Sequence, residues 1–260
     1  MTHTVEPGTD GGMNIIPILD YGYVKLVDFM GDDLAIARAA RASYGKEDIT
    51  GLDLEKDHKL VASLYRREHT SPFEMVEVKF EVKAPIFVFR QWHRHRTWSY
   101  NEISARYSEL PDEFYVPEPQ HIGHQMKHEK QMRDTSTPND YAGVARREMI
   151  RANNHAYGSY KNLLANGVPR ELARTVLPVS TYSRMVAKTN LHNLFRFLRL
   201  RLDEHAQYEI RVYAQAMHDL ARQIVPVSFS EFDRQGLLRA TIEEAARRHA
   251  AALGFASLDA

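Results

Sequence analysis

From Val76 to Lys83 the chain alternates with period two. Val76, Val78, Phe80 and Val82 point one way and Glu77, Lys79, Glu81 and Lys83 the other, the pattern of a strand with one buried face. The segment Met75 to Lys83 therefore predicts a half-buried strand. Upstream the period changes. Asp32 or Asp33 can cap a helix carrying Leu34, Ile36, Ala39 and Ala40, with Gly45 past its end. A second helix is predicted from about Asp53 to Glu68, with Leu54, Leu60, Val61 and Leu64 on one side. The HTSPF run at His69 to Phe73 breaks it. Pro85 to Arg90 is a short apolar run that reads equally as a buried strand or a short helix, because periodicity does not separate the two.

Residues 111 to 140 carry Pro111, Pro117, Pro119 and Pro138 among polar side chains and predict a long excursion or lid. Helix resumes from about Tyr141 to Leu164 and ends at Asn166 and Gly167. Pro169 opens the next helix at a favoured first-turn position, and Pro178 closes it. Ser180 to Lys188, rich in β-branched and aromatic residues, predicts a second strand. From Asn190 apolar residues recur at Leu191, Leu194, Phe195 and Leu198, and Asp203 reads as the cap of a long helix reaching about Ile224. Residues 1 to 12, with Pro7, Gly8, Gly11 and Gly12, read as a flexible tail. The fold is expected from Met13 through residue 232 as one domain. The Ala-rich end from about Glu231, residues 233 to 260, reads as a helical appendix.

The 260 residues, 43% hydrophobic, suffice for a real core. The 34 basic and 34 acidic side chains cancel, so no broad basic field exists for a long nucleic acid and any anion site must be local. No apolar run approaches the ~20 residues of a membrane span, and the start MTHTVEPGTDGG lacks an apolar signal core, so the chain is read as soluble and cytoplasmic. There is no cysteine, which removes disulfides, thiolate metal sites and thiol nucleophiles together.

Against that neutral background, RQWHRHRTWSYNEISARY at residues 90 to 107 stands out. Arg90, Arg94, Arg96 and Arg106 offer planar forks that match phosphate oxygens in pairs, interleaved with Trp92, Trp98, Tyr100 and Tyr107, whose faces suit a planar ring. Only Glu102 and Glu109 accompany them. The window asks for an external anion, read as a nucleotide, although GxGxxG, GxxxxGK[ST] and GxSxG signatures are all missing. An exposed basic loop or an Arg-rich subunit interface is the plainer explanation. A single-stranded nucleic-acid module would also interleave arginine with aromatics, and a metallohydrolase would use His93 and His95, which share a face of an extended segment. His121, His124 and His128 would share one side of a helix, but the prolines around them favour a solvated cluster. Ser104 has no evident His and acid partners, so hydrogen bonding suits it better than nucleophilic attack. Glu102 either neutralises an arginine or accepts from a ligand N–H, and Arg201 is equally a helix-terminal charge.

Arg94, His95, Arg96, Ser99, Asn101, Glu102, Ser104, Arg106 and Tyr107 together resemble the RHRxxSxNExSxRY signature of the flavin-dependent thymidylate synthases. HTSPFE at His69 to Glu74, RQW at Arg90 to Trp92, RELARTVLP, the Asn190 to Arg201 segment and HAQYEI at His205 to Ile210 extend the resemblance over about residues 31 to 232. It implies an α+β fold, helices packed around a twisted mixed or antiparallel sheet, assembled as a homotetramer with sites shared between subunits. It implies methylation of dUMP at C5 to dTMP, with 5,10-methylenetetrahydrofolate as carbon donor and NADPH as reductant through FAD; a chain without cysteine fits such flavin chemistry. Carried over residue by residue, Ser71, Arg94, His95, Arg96, Glu102, Asn190, His192 and Arg196 would contact FAD. Gln91, Arg94, Glu102, Ser104, Arg106, Arg174 and Arg201 would hold dUMP. Arg201 would be the catalytic arginine, stabilising negative charge on the uracil as its N3 proton is lost. No metal is implied. His192 stands where arginine is common in the family, Arg196 where asparagine or histidine occurs, and Met75 where histidine often follows PFE.

Overall fold

In the computed structural model, residues 15–43, 45, 53–127 and 129–252 are described, with side chains as far as residue 241. The N-terminal stretch read as a tail, His128 and the last eight residues lie outside them. Two strands precede the one the alternation announced. These are β1 (Ile15–Ile18) and β2 (Gly22–Met30), joined by a tight turn and paired antiparallel. The predicted helices follow as α1 (Asp33–Ala42) and α2 (Leu54–Arg66), whose N-caps Asp32 and Asp53 accept from the Ala35 and Lys56 amides. The SPF prolyl segment forms a 3-10 turn over Ser71–Met75, and β3 follows at Glu77–Pro85, shifted by two residues from the predicted span.

The run left open between strand and helix is helix α3 (Ile86–Trp92), entered through Pro85, which closes β3 as Thr181 and Val179 carbonyls take the first helical amides. Strand β4 (Ser99–Glu102) lies inside the arginine window. The excursion contains a small hairpin, β5 (His124–Gln125) and β6 (Arg133–Asp134). His121 sits in a 3-10 turn and His124 in β5, so the helical arrangement considered for the histidines is not formed. Helix α4 (Ala142–Ala165), the short α5 (Arg170–Ala173) and strand β7 (Tyr182–Asn190) come next, then α6 (Leu191–Arg201), α7 (Tyr208–Ala221) and α8 (Pro226–Ala252). Asp203 does not cap a long helix. It accepts from the His205 amide in the turn between α6 and α7, and α7 starts at Tyr208. Helix α8 begins at Pro226 and passes through residue 232 without a break.

The sheet runs β1-β2-β3-β7-β4 with every pairing antiparallel. Val27 is extra in the β2–β3 register, where Leu26 faces Phe80 and Asp28 faces Lys79. Val78, Phe80 and Val82 are buried opposite Thr189, Ala187 and Met185 of β7. Burying each such apolar side chain contributes roughly 1.5–3 kcal/mol. Helices α3, α6 and α7 cover this face through Phe89, Leu194, Phe197, Tyr213 and Met217, all of them buried. The opposite face carries Lys79, Glu81 and Lys188, with Lys188 on Glu77 at 2.8 Å and Lys79 on Asp28 at 3.0 Å. The result is an α+β fold whose antiparallel sheet is covered by helices on one face. No described helix is long and apolar enough to cross a membrane.

Candidate active site

The arginine window is anchored by its two tryptophans. Trp92 is fully buried and Trp98 nearly so. Trp92 stacks on Phe197 (centroids 4.9 Å apart) and meets Trp98 edge-on at 5.8 Å. These rings belong to the core and are not available to a ligand, contrary to the sequence expectation; Tyr107, 78% exposed, remains free. With Trp92 and Trp98 inside, the turn between them turns Arg94 and Arg96 outward. The Tyr100 hydroxyl donates to the carbonyls of His95 (2.8 Å) and Trp92 (3.2 Å) and fixes that turn, while β4 pins the rest of the window to β7.

This arrangement places His95 beside the end of α6. Arg201 Nε donates to His95 Nε2 at 3.0 Å, and an Arg201 terminal nitrogen donates to the Gln91 carbonyl at 3.1 Å. Burial, with Arg201 and Arg196 nearby, lowers the His95 pKa to about 4, so the ring is neutral at physiological pH and its Nε2 lone pair is the acceptor. Burial also pulls the Arg201 pKa down from its ordinary value. A cleft of about 550 Å³ opens here, lined by Arg94, His95, Arg96, Asn193, Arg196 and Arg201. Among the described residues Arg94, Arg96 and Arg196 have no carboxylate partner within ion-pair distance. Three unneutralised guanidiniums around one concavity fit a ligand that brings its own phosphates, and the donor set suits a flavin dinucleotide.

Four sequence-predicted residues line two further clefts, Arg196 among them for a second time. Glu102 and Arg174 line one of about 350 Å³ together with Arg90 and His93. Here Glu102 has no cationic partner within ion-pair distance among the described residues; it accepts from Ser183 Oγ at 2.6 Å. Arg106 reaches Glu171 at 3.2 Å, and the Ser104 hydroxyl accepts from the Arg106 amide at 3.3 Å, a turn contact that offers no activation. His192 and Arg196 line a cleft of about 310 Å³ with His69 and Thr70, next to Ser71 at the start of the 3-10 turn. Burial lowers the His192 pKa. Asn190 spends its side-chain oxygen capping α6, accepting from the Asn193 amide at 2.9 Å. Arg196 is common to the first and third clefts, whereas Glu102 and Arg174 stand apart from Arg201. Within one chain the residues expected around dUMP are not brought to a single pocket.

No group of three or more His, Asp or Glu able to hold a metal occurs among the described residues. His93 and His95 leave the helical end of α3 and line different clefts. Gln207 and Glu209, both in the HAQYEI motif, are absent from the residues expected around FAD and dUMP. Gln91 Nε2 donates to Gln207 Oε1 at 2.5 Å, and Gln207 Nε2 donates to Glu209 Oε2 at 2.8 Å. Glu209 is buried, with Tyr115 and Arg133 donating to its other oxygen at 2.8 Å each. Burial would raise its pKa, but Arg133 and Tyr115 more than offset this and hold it below the ordinary value. A glutamate beside Ile210 on the apolar side of a helix was the available signal.

A family model described as thymidylate synthase complementing protein matches residues 25–227. A protein named flavin-dependent thymidylate synthase from Thermus thermophilus is 50% identical over 218 residues, covering 84% of this chain and 78% of its own. One of the same name from Wolbachia pipientis is 45% identical, covering 83% of this chain and 75% of its own. Among solved structures, a UMP/dUMP methylase, PolB, from Streptomyces cacaoi bound with 5-Br dUMP superposes with a TM-score of 0.76 at 38% identity, over 84% of this chain and 97% of that one. The signature that forms the turn, the strand β4 and the Arg201 contact is thus embedded in likeness along most of the chain, which belongs to the family of flavin-dependent thymidylate synthases.

Proposed function

We infer that this protein is a flavin-dependent thymidylate synthase, methylating dUMP at C5 to dTMP with 5,10-methylenetetrahydrofolate as carbon donor and NADPH as reductant through FAD. The observation that carries the reading is the Arg201 guanidinium, held by His95 and the Gln91 carbonyl in a cleft lined by unneutralised arginines. Bound FAD would supply the passage of reducing equivalents, chemistry that no side chain of this cysteine-free protein offers. Arg94, Arg96 and Arg196 would hold its phosphates, and Ser71, His95, Glu102, Asn190 and His192 complete that set.

Gln91, Arg94, Glu102, Ser104, Arg106 and Arg174 are the residues we assign to dUMP. Arg201 stabilises the negative charge that appears on the uracil ring as its N3 proton leaves. A fixed, partly desolvated guanidinium does this well because its field is weakly screened and no reorientation is needed as charge develops. His95 keeps that guanidinium aimed while adding no positive charge. The division of the assigned residues among separate clefts supports a homotetramer in which neighbouring subunits complete each site, acting in the cytoplasm.

The visible absorbance of purified protein with added FAD, followed through a dUMP titration, tests the reading. A flavin spectrum perturbed by dUMP is expected. Failure of the folded protein to bind FAD overturns it, and oligonucleotide affinity falling steeply with salt would favour the nucleic-acid module instead. Arg201→Ala should lower dTMP formation by ~10³-fold with FAD still bound, whereas Arg94→Ala should weaken nucleotide binding itself.

A further inference from the structure

Hydrogen-bond polarity runs in one direction from Glu209 through Gln207 to Gln91. An ionised carboxylate only accepts, so the Gln207 side chain must present its NH₂ to Glu209 and its carbonyl oxygen to Gln91. Gln91 must then present NH₂ to Gln207. The Gln91 carbonyl oxygen is left over as the acceptor for whatever lies beside it. Gln91 is also the residue whose main-chain carbonyl accepts from Arg201, so its backbone is fixed at the same point. The origin of the chain is secure: Glu209 is 1% exposed and accepts from Tyr115, Arg133 and Gln207.

We propose that Glu209, acting through Gln207, sets the nucleobase selectivity of the site by fixing Gln91 with its carbonyl oxygen toward the base. The inference rests on the dUMP reading above. An acceptor on Gln91, assigned above to dUMP, complements the N3–H of uracil as the ring arrives. Cytosine carries a lone pair at N3 and would set it against the Gln91 oxygen. A site built to bond one polarity rejects the other because buried polar groups are left unpaired. Glu209 and Gln207 are positioning residues, since neither touches the base.

Glu209→Gln keeps the shape and frees the polarity. The new amide can satisfy Arg133 and Tyr115 with its oxygen and offer NH₂ to Gln207, reversing both glutamines and turning the Gln91 NH₂ toward the base. The experiment measures the dissociation constants of dUMP and dCMP for the FAD-loaded protein, wild type and variant, by equilibrium titration. Wild type should prefer dUMP, and in Glu209→Gln the dCMP-to-dUMP affinity ratio should rise about tenfold or more, on the scale of one hydrogen bond exchanged for a mismatch. A purely structural role would weaken both nucleotides alike, and an unchanged ratio overturns the proposal. If Glu209→Gln does not fold, Gln207→Met, an exposed position, severs the relay instead; it should likewise lower the preference for dUMP, and an undiminished preference overturns the idea. A wild-type protein that binds FAD but not dUMP would remove the functional reading itself, an outcome distinct from an unaltered ratio in a protein that does bind dUMP.

Discussion

His95 shows how one side chain acquires a role from its surroundings. In sequence it is one imidazole between two arginines; in the fold it is a neutral acceptor for Arg201. His95→Phe keeps a ring against Phe197, from which the imidazole centroid lies 4.9 Å away, and removes Nε2. We expect kcat for dTMP formation to drop roughly 10- to 100-fold with little change in the KM for dUMP, the pattern of an interaction used mainly in the transition state. An equal loss in wild-type and Arg201→Ala backgrounds would show that the two residues act independently. Stability follows the same ionisation. The unfolded chain takes up this proton near pH 6.5 and the fold not until about pH 4, so the His95 contribution is intact above 6.5 and is lost as pH falls through 4. As pH falls from 6.5 to 4 the denaturant midpoint of wild type should therefore drop further than that of His95→Phe.

Helix α8 is fastened by polar groups that its sequence pattern does not announce. Asp33, on α1, accepts from the Val227 amide (2.8 Å), the Ser228 amide (3.0 Å) and the Ser228 hydroxyl (2.6 Å), capping the first turn of a helix nearly two hundred residues away. Burial raises the Asp33 pKa, against the pull of these donors. Asp33→Ala leaves those donors unpaired and should cost about 2 kcal/mol in urea unfolding; a cost near zero would mean that water replaces the carboxylate. Farther along, His218 bridges Asp219 at 3.0 Å and Asp233 at 2.8 Å, tying α7 to α8. Burial opposes the charged imidazole, but the two carboxylates prevail and raise its pKa. Its stabilisation is therefore complete below about pH 6.5 and lost as pH rises through the raised value. The Tm difference between wild type and Asp233→Asn should shrink from pH 6 to pH 9.

At the scale of the whole molecule, the separation of Arg201 from Arg174 is the consequential feature. The two line different clefts of the same chain although both are assigned to dUMP. Subunits that complete one another's sites would join these halves. Mixing inactive Arg201→Ala and Arg174→Ala proteins, followed by subunit exchange, should then restore part of the dTMP-forming activity, because some sites receive both intact arginines. No recovery in mixed oligomers verified by native mass spectrometry would place both arginines in a site built by a single chain.

The strand at β3, a cap for α1 at Asp32 or Asp33, the helices α1, α2 and α4, and the residues of the signature were legible in the sequence by itself, since period, capping chemistry and motif are local properties. It left β1 and β2 unannounced and β4 hidden inside the arginine window, because short strands are defined by their partners across the sheet. It read Trp92 and Trp98 as ligand-facing, where burial against Phe197 made them core. It placed the start of the helix reaching about Ile224 at Asp203, whereas a turn follows α6 there, α7 starts only at Tyr208, and the turn sets Gln207 against Gln91. That Arg201 rests on His95 and that Glu209 reaches Gln91 through Gln207 came from the fold alone. Those contacts join residues about a hundred positions apart, and charge, exposure and hydrogen-bond polarity at such sites are set by what lies across the fold.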